Sequence, residues 1–398
     1  MSRKPKIFLS AGEASGDRYG TLLIPALRRL LPQTDFFGLG GQRMEALGFR
    51  RIVRAEDVAV MGITEVIRHM PQIYGEYRKL KKSIRSERPD AAILIDFPDV
   101  NLSLARHLKQ AGVPVIYFVS PQLWAWKKYR IREVRRYVDR MLVIFPFEER
   151  FYLDRQVQAT YVGHPLADLP LPTVSREDFA RETSLDPSKP LDPTKQWIGL
   201  LPGSRAKEIR LNLPEMLRAA DLLQKHGNYE FLLPLAPTLT ETQRAEVQAM
   251  LPATLRIILT SDARATLHHC RASLVASGTA TVEAALIGNP FVVVYRVSPL
   301  SYSVAKRVVD VPHVAMVNLI AGRRVVPELI QGDFTAETAV SHLQPLLEEG
   351  QRRARMIADL REISGMLKAE DNNNSESAID RVARITVEVL DQNSHGSV

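Results

Sequence analysis

Short apolar runs alternate along the chain with segments whose apolar positions recur every three or four residues. "KIFLSAG", "AAILIDF", "VPVIYFVS" and "RMLVIFP" read as strands, each closed by a Gly, Pro or Ser. Between them "TLLIPALRRLL", "VNLSLARHLKQAG" and "KKYRIREVRRYV" carry helical spacing. Strands alternating with helices predict parallel pairing in a doubly wound sheet. After "YVGHPLADLPLP" comes the polar, proline-spaced "TVSREDFARETSLDPSKPLDPTKQ", which marks a domain boundary around 165–195. The pattern then restarts. "WIGLLPGSR", "YEFLLPLAP", "LRIILT", "ASLVASG" and "PFVVVYRV" read as strands, with "EIRLNLPEMLRAADLLQKHG", "TETQRAEVQAML" and "GTATVEAALIG" as helices. The expected organisation is an α/β domain over 1–170, a second over 190–340 and a helical, charged tail over 341–398. The tail is expected either to close back on the first domain or to exchange with another chain in a homodimer. Two such domains in tandem imply a cleft lined by the carboxyl ends of both sheets, where open α/β sheets bind ligands.

Length agrees with this division, because 398 residues exceed what one hydrophobic core holds. At 45% hydrophobic and 25% charged residues the composition is that of a soluble globular protein. The single cysteine, Cys270, excludes a disulfide framework and a multi-cysteine zinc site. That cysteine usage makes a reducing cytoplasm the expected location; the N-terminus lacks a signal-peptide layout, and no apolar run is long enough to span a bilayer. A net charge of +8 favours an anionic partner: nucleic acid, anionic lipid or a phosphorylated small molecule. Nucleic acid is not expected, since no zinc-finger spacing or RNA-recognition signature accompanies the charge.

Three strand ends carry candidate chemistry. "KIFLSAGEASGD" has the strand, small-residue turn and helix start of a phosphate cradle, yet it brings two carboxylates, Glu13 and Asp17, and no lysine. "LLPGSR" offers Gly203 for a tight turn, Ser204 and backbone amides for an anion, and Arg205 as a planar charged fork. The plain alternative is a turn with a surface arginine. "ASGTATVE" ends a strand at Ser277, Gly278 and Thr279, where small residues let phosphate oxygens approach helix-terminal amides. Glu283, one turn in, suits a ribose diol; the alternative is that it complements the helix dipole.

These strings, with "DFPDVN", "SPQLWAW", "MGITEVI", "GHPL" and "VPHVAMVNLIAGRRVVPELIQ", resemble the lipid-A-disaccharide synthases from about residue 6 to 335. The resemblance implies an inverting glycosyltransferase with two Rossmann-like domains facing across a cleft, the glycosyltransferase B fold. It implies UDP-2,3-diacylglucosamine as donor and 2,3-diacylglucosamine 1-phosphate as acceptor, giving a β(1→6) disaccharide 1-phosphate and UDP. On the same grounds Arg205 and the Ser277–Thr279 loop hold the diphosphate, Glu283 holds the ribose, and Asn318 and Glu328 face the donor.

Inverting transfer needs a base for the acceptor hydroxyl and stabilisation of the departing diphosphate. The sequence has no Asp-x-Asp pair, so Arg205 and helix-terminal amides are expected to serve without a divalent ion or other cofactor. Asp99, at the end of a strand and before a helix expected to start near Asn101, is the first candidate base and Glu13 the second; helix capping is the alternative for Asp99. Asp96 reads as structural. Ser15, Gly16 and Asp17 are candidates for holding the acceptor, with helix capping equally open for Asp17. His164 suits a structural hinge or a ligand role.

Acylated substrates require work at a bilayer surface. In "VAVMGITEVIRHMPQIYGEYRKLKKSIR" the positions Val66, Ile67, Met70, Ile73, Tyr74 and Tyr77 form an apolar stripe beside basic residues. Such a helix can lie on the anionic cytoplasmic face of the inner membrane; packing against the sheet is the alternative. "SPQLWAWKKYRIREVRRYV" is a second candidate, with Trp124 and Trp126 for an interface and Lys127, Lys128, Arg130 and Arg132 for phosphates. Two other functions remain open at this point: a UDP-N-acetylglucosamine 2-epimerase or other transferase of the same architecture, and a non-catalytic peripheral lipid- or nucleotide-binding protein.

Overall fold

The computed structural model describes residues 4–58, 63–182, 191–308, 311–369 and 376–395. The chain divides into two compact units, one of residues 1–168 with 367–398 and the other of residues 169–366.

The first unit is built on a seven-stranded, wholly parallel sheet. Its strands are β1 (Lys6–Ala11), β2 (Asp35–Gly40), β3 (Arg50–Arg54), β4 (Ala91–Ile95), β5 (Val115–Phe118), β6 (Arg140–Val143) and β7 (Ala159–Tyr161). They lie in the order β3-β2-β1-β4-β5-β6-β7. The central strands are apolar along their length because helices cover both faces; every residue of β4 and β5 is buried. Phe8 and Phe37 pack edge to face in this core, with ring centroids 5.6 Å apart.

The second unit has a six-stranded parallel sheet of β8 (Gln196–Leu201), β9 (Tyr229–Pro234), β10 (Ile257–Thr260), β11 (Ala272–Ala276), β12 (Phe291–Tyr295) and β13 (Glu328–Ile330). Their order is β10-β9-β8-β11-β12-β13. Trp197 of β8, fully buried, packs against Phe179 with ring centroids 5.7 Å apart.

The C-terminal segment does not stay together as one tail. The helices Ala336–Leu347 and Gln351–Met366 belong to the second unit, where Ala339, Leu343, Leu346 and Leu360 are buried. The chain then joins the first unit, and the helix Ala378–His395 packs along Ala14–Leu30. Its start is fixed by Asp168, whose carboxylate accepts from the Ala378 amide at 2.7 Å, and Asp380 pairs with Arg29. The alternation of apolar faces decides this split: Val382, Ala383 and Thr386 are buried by the first unit's helix layer. Among the described residues no helix is long and apolar enough to cross a membrane.

Candidate functional site

In each sheet the strand order reverses once, between β1 and β4 in the first unit and between β8 and β11 in the second. The loops leaving the carboxyl ends of such a pair diverge to opposite faces and open a crevice, the favoured ligand position in α/β folds. The three small-residue strand ends and the Asp99 strand end singled out by sequence lie at these two points. The loops after β1 and β4 carry Glu13 and Asp99; those after β8 and β11 carry Arg205 and Ser277–Thr279.

In the first unit the two loops touch. A methyl group on Gly12 would lie 2.2 Å from the Phe97 ring, so only glycine lets the β1 loop pass. Asp96 and Phe97 both adopt left-handed backbone conformations, with φ of 49° and 48°. Two consecutive non-glycine residues there are uncommon and are held by their surroundings. Asn101, wholly buried, does the holding. Its Nδ2 donates to the carbonyls of Asp96 (2.7 Å), Ile95 (3.2 Å) and Ser10 (3.3 Å), and its Oδ1 accepts from the Ser10 hydroxyl at 2.5 Å. The Tyr117 hydroxyl adds a second bond to the Asp96 carbonyl at 2.6 Å. One side chain thus ties the ends of both switch-point strands together.

The helix expected near Asn101 starts at Pro98, after the strained pair. Asp99 is therefore its second residue and not a cap. Its exposed carboxylate meets Arg130 at 2.6 Å and Lys127 at 3.4 Å. Partial burial works to raise its pKa, but the hydrogen bond and charge of Arg130, with Lys127, outweigh this and hold the carboxyl below its usual value. Glu13 stands at the N-cap position of the helix Ala14–Leu30, half-buried, with Ser15 likewise half-buried just inside. Gly16 lets this helix approach β1: an added Cβ would lie 3.2 Å from Ala11 Cβ.

Asp17 has a different task from the one expected. It is 8% exposed, and its Oδ1 accepts from the amides of Gly41 (3.0 Å) and Met44 (3.3 Å). It caps the short helix Gln42–Glu45 from across the fold, so its carboxylate is engaged in structure. His164 is also structural. It is 1% exposed, packs on Phe145 and Tyr19, and accepts from the Leu166 amide. Burial, with the charge of Arg18, pushes its pKa down to about 3.

The helix Pro146–Leu153, after β6, holds a group that sequence reasoning passed over, and it bonds back to the segment after β5. Glu148, 1% exposed, accepts from the Ser120 hydroxyl (2.6 Å), the Trp124 indole (3.0 Å) and the Phe145 amide (3.1 Å). Burial pushes its carboxyl up to about 7, against the pull of these donors. Trp124 is thereby an anchored residue, while Trp126 is 39% exposed with Lys127 Nζ over its ring. Val119 and Lys127 also have left-handed backbones, φ 63° and 50°, so strained residues cluster after β4 and β5. The only sequence sign of Glu148 was its place in "FPFEERFY", where Glu148, Glu149 and Arg150 are flanked by aromatic residues.

In the second unit Gly203 has φ 122°, and a Cβ there would lie 2.5 Å from Glu208. Glu208 Oε2 accepts from the amides of Ser204 (3.1 Å) and Arg205 (3.4 Å). A carboxylate therefore sits on the amides expected to bind an anion, and its Oε1 also meets the half-exposed Arg205 guanidinium at 3.4 Å. Beside it, Gly278 has φ 147° with open space on its Cβ side, at the start of the helix Thr279–Ile287. The Thr281 amide of its first turn donates to the Gly278 carbonyl at 3.1 Å, and the helix start carries the positive end of the dipole. Glu283 is buried in that helix. Asn212, buried in the helix Ala206–Gln224, links the Pro202 carbonyl after β8 (3.0 Å) to the Arg296 amide after β12 (2.8 Å).

Asn318 and Glu328 do not present free polar groups. Asn318 is wholly buried; its Oδ1 accepts from the Val325 and Val326 amides, and its Nδ2 donates to Val326 and to Glu328 Oε1 at 2.8 Å. Glu328 accepts from the Val314 and Ala315 amides at 3.1 and 2.9 Å. The pair braces a loop whose Val314 carbonyl meets the Ser277 hydroxyl at 3.4 Å.

The expected membrane stripe lies on the helix Ile63–Glu87. The side chains of Val66, Ile67, Met70 and Ile73 fall outside the described residues, and Tyr74 is 59% exposed. Farther along, Leu80 and Ile84 are buried and Tyr77 packs beside them, so this end of the helix serves the core.

Comparison with known proteins agrees with the two-sheet architecture. The structure is similar to a putative UDP-N-acetylglucosamine 2-epimerase from Listeria monocytogenes, at 13% identity and TM-score 0.61 over 98% of each chain. It is also similar to a UDP-glucose:anthocyanidin 3-O-glucosyltransferase in complex with UDP, at 13% identity and TM-score 0.64, covering 98% of this chain and 100% of the other. These likenesses establish the fold, two parallel α/β sheets of the glycosyltransferase B type. In sequence, the chain is 64% identical to the lipid-A-disaccharide synthase of Acidobacterium capsulatum over 98% of each protein. It is 49% identical to that of Koribacter versatilis, over 96% of this chain and 98% of the relative. A family model described as lipid-A-disaccharide synthetase matches residues 7–382, and on that match the chain belongs to the lipid-A-disaccharide synthetase family of glycosyltransferases.

Proposed function

We propose that the protein transfers 2,3-diacylglucosamine from UDP-2,3-diacylglucosamine to the 6-hydroxyl of 2,3-diacylglucosamine 1-phosphate. The observation that carries this reading is the family match over residues 7–382. The products are the β(1→6) disaccharide 1-phosphate of lipid A biosynthesis and UDP. The acceptor oxygen attacks the donor's anomeric carbon from the face opposite the diphosphate. The carbon–oxygen bond to the diphosphate breaks, and its electron pair leaves on UDP. The hydroxyl proton passes to a carboxylate, from which water later removes it.

The second unit is the donor side. Arg205 supplies a cation to the diphosphate, and the amides after Gly278 supply its hydrogen bonds, assisted by the helix dipole. Ser204, Ser277 and Thr279 line the same approach, and Glu283 receives the ribose hydroxyls. Because Glu208 holds the Ser204 and Arg205 amides and pairs with the Arg205 side chain, donor phosphate shares that guanidinium with the carboxylate or displaces it. The first unit is the acceptor side. Asp99 is the base, with Glu13 as second candidate, and Ser15 and Gly16 border the acceptor sugar. The leaving group is stabilised by these protein groups without a divalent ion. The helix Ile63–Glu87 places the enzyme on the anionic cytoplasmic face of the inner membrane through Val66, Ile67, Met70, Ile73 and Tyr74.

Incubation with both substrates, with and without chelator, followed by mass analysis tests the reaction. Disaccharide 1-phosphate and UDP are expected in equal amounts in both samples. Interconversion of UDP-sugars without coupling would overturn it. Asp99→Asn is expected to abolish turnover with UDP affinity retained; near-full activity transfers the base role to Glu13. Serine substitution across the five membrane positions is expected to release the protein from anionic vesicles, and unchanged partition would reject that surface.

A further inference from the structure

Asp99 is a poor base as it stands. Opposite charges within hydrogen-bond distance stabilise its ionised form, whereas a general base works best when its pKa lies near the operating pH. The two cations responsible are more enclosed than the carboxylate they hold. The side chains of Arg130 and Lys127 are 18% and 28% exposed, that of Asp99 66%. Their segment is fixed from below. Glu148 binds Ser120 and Trp124, the Tyr152 hydroxyl donates to the Pro121 carbonyl at 3.0 Å, and Lys127 Nζ lies 4.2 Å from the centre of the Trp126 ring. Lys127 itself has φ 50°, a conformation that such anchoring must maintain. From Lys127 to Arg136 the chain carries six cations and one carboxylate, Glu133, which stands near Arg130 together with Tyr129. A single exposed carboxylate is a weak occupant for a guanidinium and an ammonium held in this way.

We infer that Lys127 and Arg130 form the receptor for a phosphate monoester, the anomeric phosphate of the acceptor sugar, and that its arrival draws them from Asp99 and frees that carboxylate to act as base. A phosphate monoester brings roughly two negative charges and three acceptor oxygens near neutral pH, and a guanidinium binds two of those oxygens at once. It therefore displaces a lone carboxylate. Loss of its partners raises the basicity of Asp99 only when the acceptor is present. In the absence of acceptor the quenched carboxylate does not activate water, so the donor is protected from hydrolysis. This inference deepens the proposed transfer reaction and rests on it for the identity of the phosphate.

The test compares acceptors with and without the anomeric phosphate in wild type, Arg130→Lys, the Lys127→Gln/Arg130→Gln double variant, and Asp99→Asn. Charge-assisted contacts are worth about 10-fold or more each, so wild type is expected to prefer the phosphorylated acceptor by about 100-fold in kcat/KM. In the double variant the preference should fall to within about 3-fold of none. Arg130→Lys, which keeps the charge and loses the fork, should fall between. A preference in the double variant within about 3-fold of the wild-type ratio would overturn the inference, because general damage lowers both acceptors alike. Arg130→Lys keeps the test decisive if the double variant does not fold. Asp99→Asn separates the two readings. Loss of turnover on both acceptors supports Asp99 as the base that the cations control. Retained turnover overturns that part and leaves the phosphate receptor to the ratio.

Discussion

Asn101 carries the sharpest consequence of the structure. Replacing it with alanine leaves the Ser10 hydroxyl without its acceptor and removes a donor from the carbonyls of Ser10, Ile95 and Asp96. One orphaned buried donor costs about 1–3 kcal/mol, and each lost carbonyl bond about 1 kcal/mol less whatever strand or hydroxyl partner remains, so Asn101→Ala should lose about 3–5 kcal/mol. Asp96 retains its bond from Tyr117, which limits the upper end. Asn101→Asp is the more telling change. It preserves volume and the acceptor for Ser10, yet sets a carboxylate oxygen against three carbonyl oxygens where Nδ2 now lies at 2.7–3.3 Å. The Nδ2 donor is lost to all three and replaced by a repelling oxygen, with Tyr117 still serving Asp96, so the near-isosteric aspartate should destabilise at least as much as alanine. Either loss is a large part of an ordinary stability of about 5–15 kcal/mol. It also frees Asp96 and Phe97 to leave conformations costing roughly 1–2 kcal/mol each, which moves Asp99. Urea unfolding, hydrogen exchange of β1 and β4 amides, and kcat/KM measure these effects together. An Asn101→Asp protein as stable as wild type, or an alanine variant within about 1 kcal/mol of it, would refute the reasoning.

Two further outcomes follow from buried carboxylates. Glu148 has a folded-state pKa of about 7 against an ordinary 4.5, so between these values the native protein holds a proton that the unfolded chain has lost, and stability falls as pH rises through that window. The stability difference between wild type and Glu148→Gln should therefore change by up to about 3 kcal/mol from pH 4.5 to 7, read from urea midpoints; a constant difference rejects a titrating Glu148. Asp17→Ala should cost about 1–2 kcal/mol through the lost cap on Gln42–Glu45, with KM for the acceptor unchanged. A tenfold rise in KM without loss of stability would return Asp17 to the substrate.

Much of the architecture was written in local pattern. The apolar runs of β1, β4, β5, β6 and β8 to β12 stand out because buried parallel strands carry few polar positions. β3, with the sequence RRIVR at the sheet edge, gave no such signal, because one side of it meets solvent. β2 was hidden by its glycines, one of which, Gly38, has φ 141° and would place a Cβ 2.1 Å from the Leu9 carbonyl oxygen. The Asn318–Glu328 pair looked like ligand-facing polarity in an apolar loop, but its atoms are consumed by backbone amides that only folding brings near.

Sequence alone determined the two α/β halves, the glycine-bearing turns that end their strands, and the surplus of basic charge, since each depends on residues adjacent in the chain. Which carboxylate is free and which is employed was decided by tertiary structure. Asp17 caps a helix 24 residues away, Glu148 lies under a loop 28 residues before it, and Asp99 is governed by cations about thirty residues on. The charge state and reach of a carboxylate depend on donors and cations within a few ångströms, and those neighbours are chosen by the order of strands in the sheet, not by the order of residues in the chain.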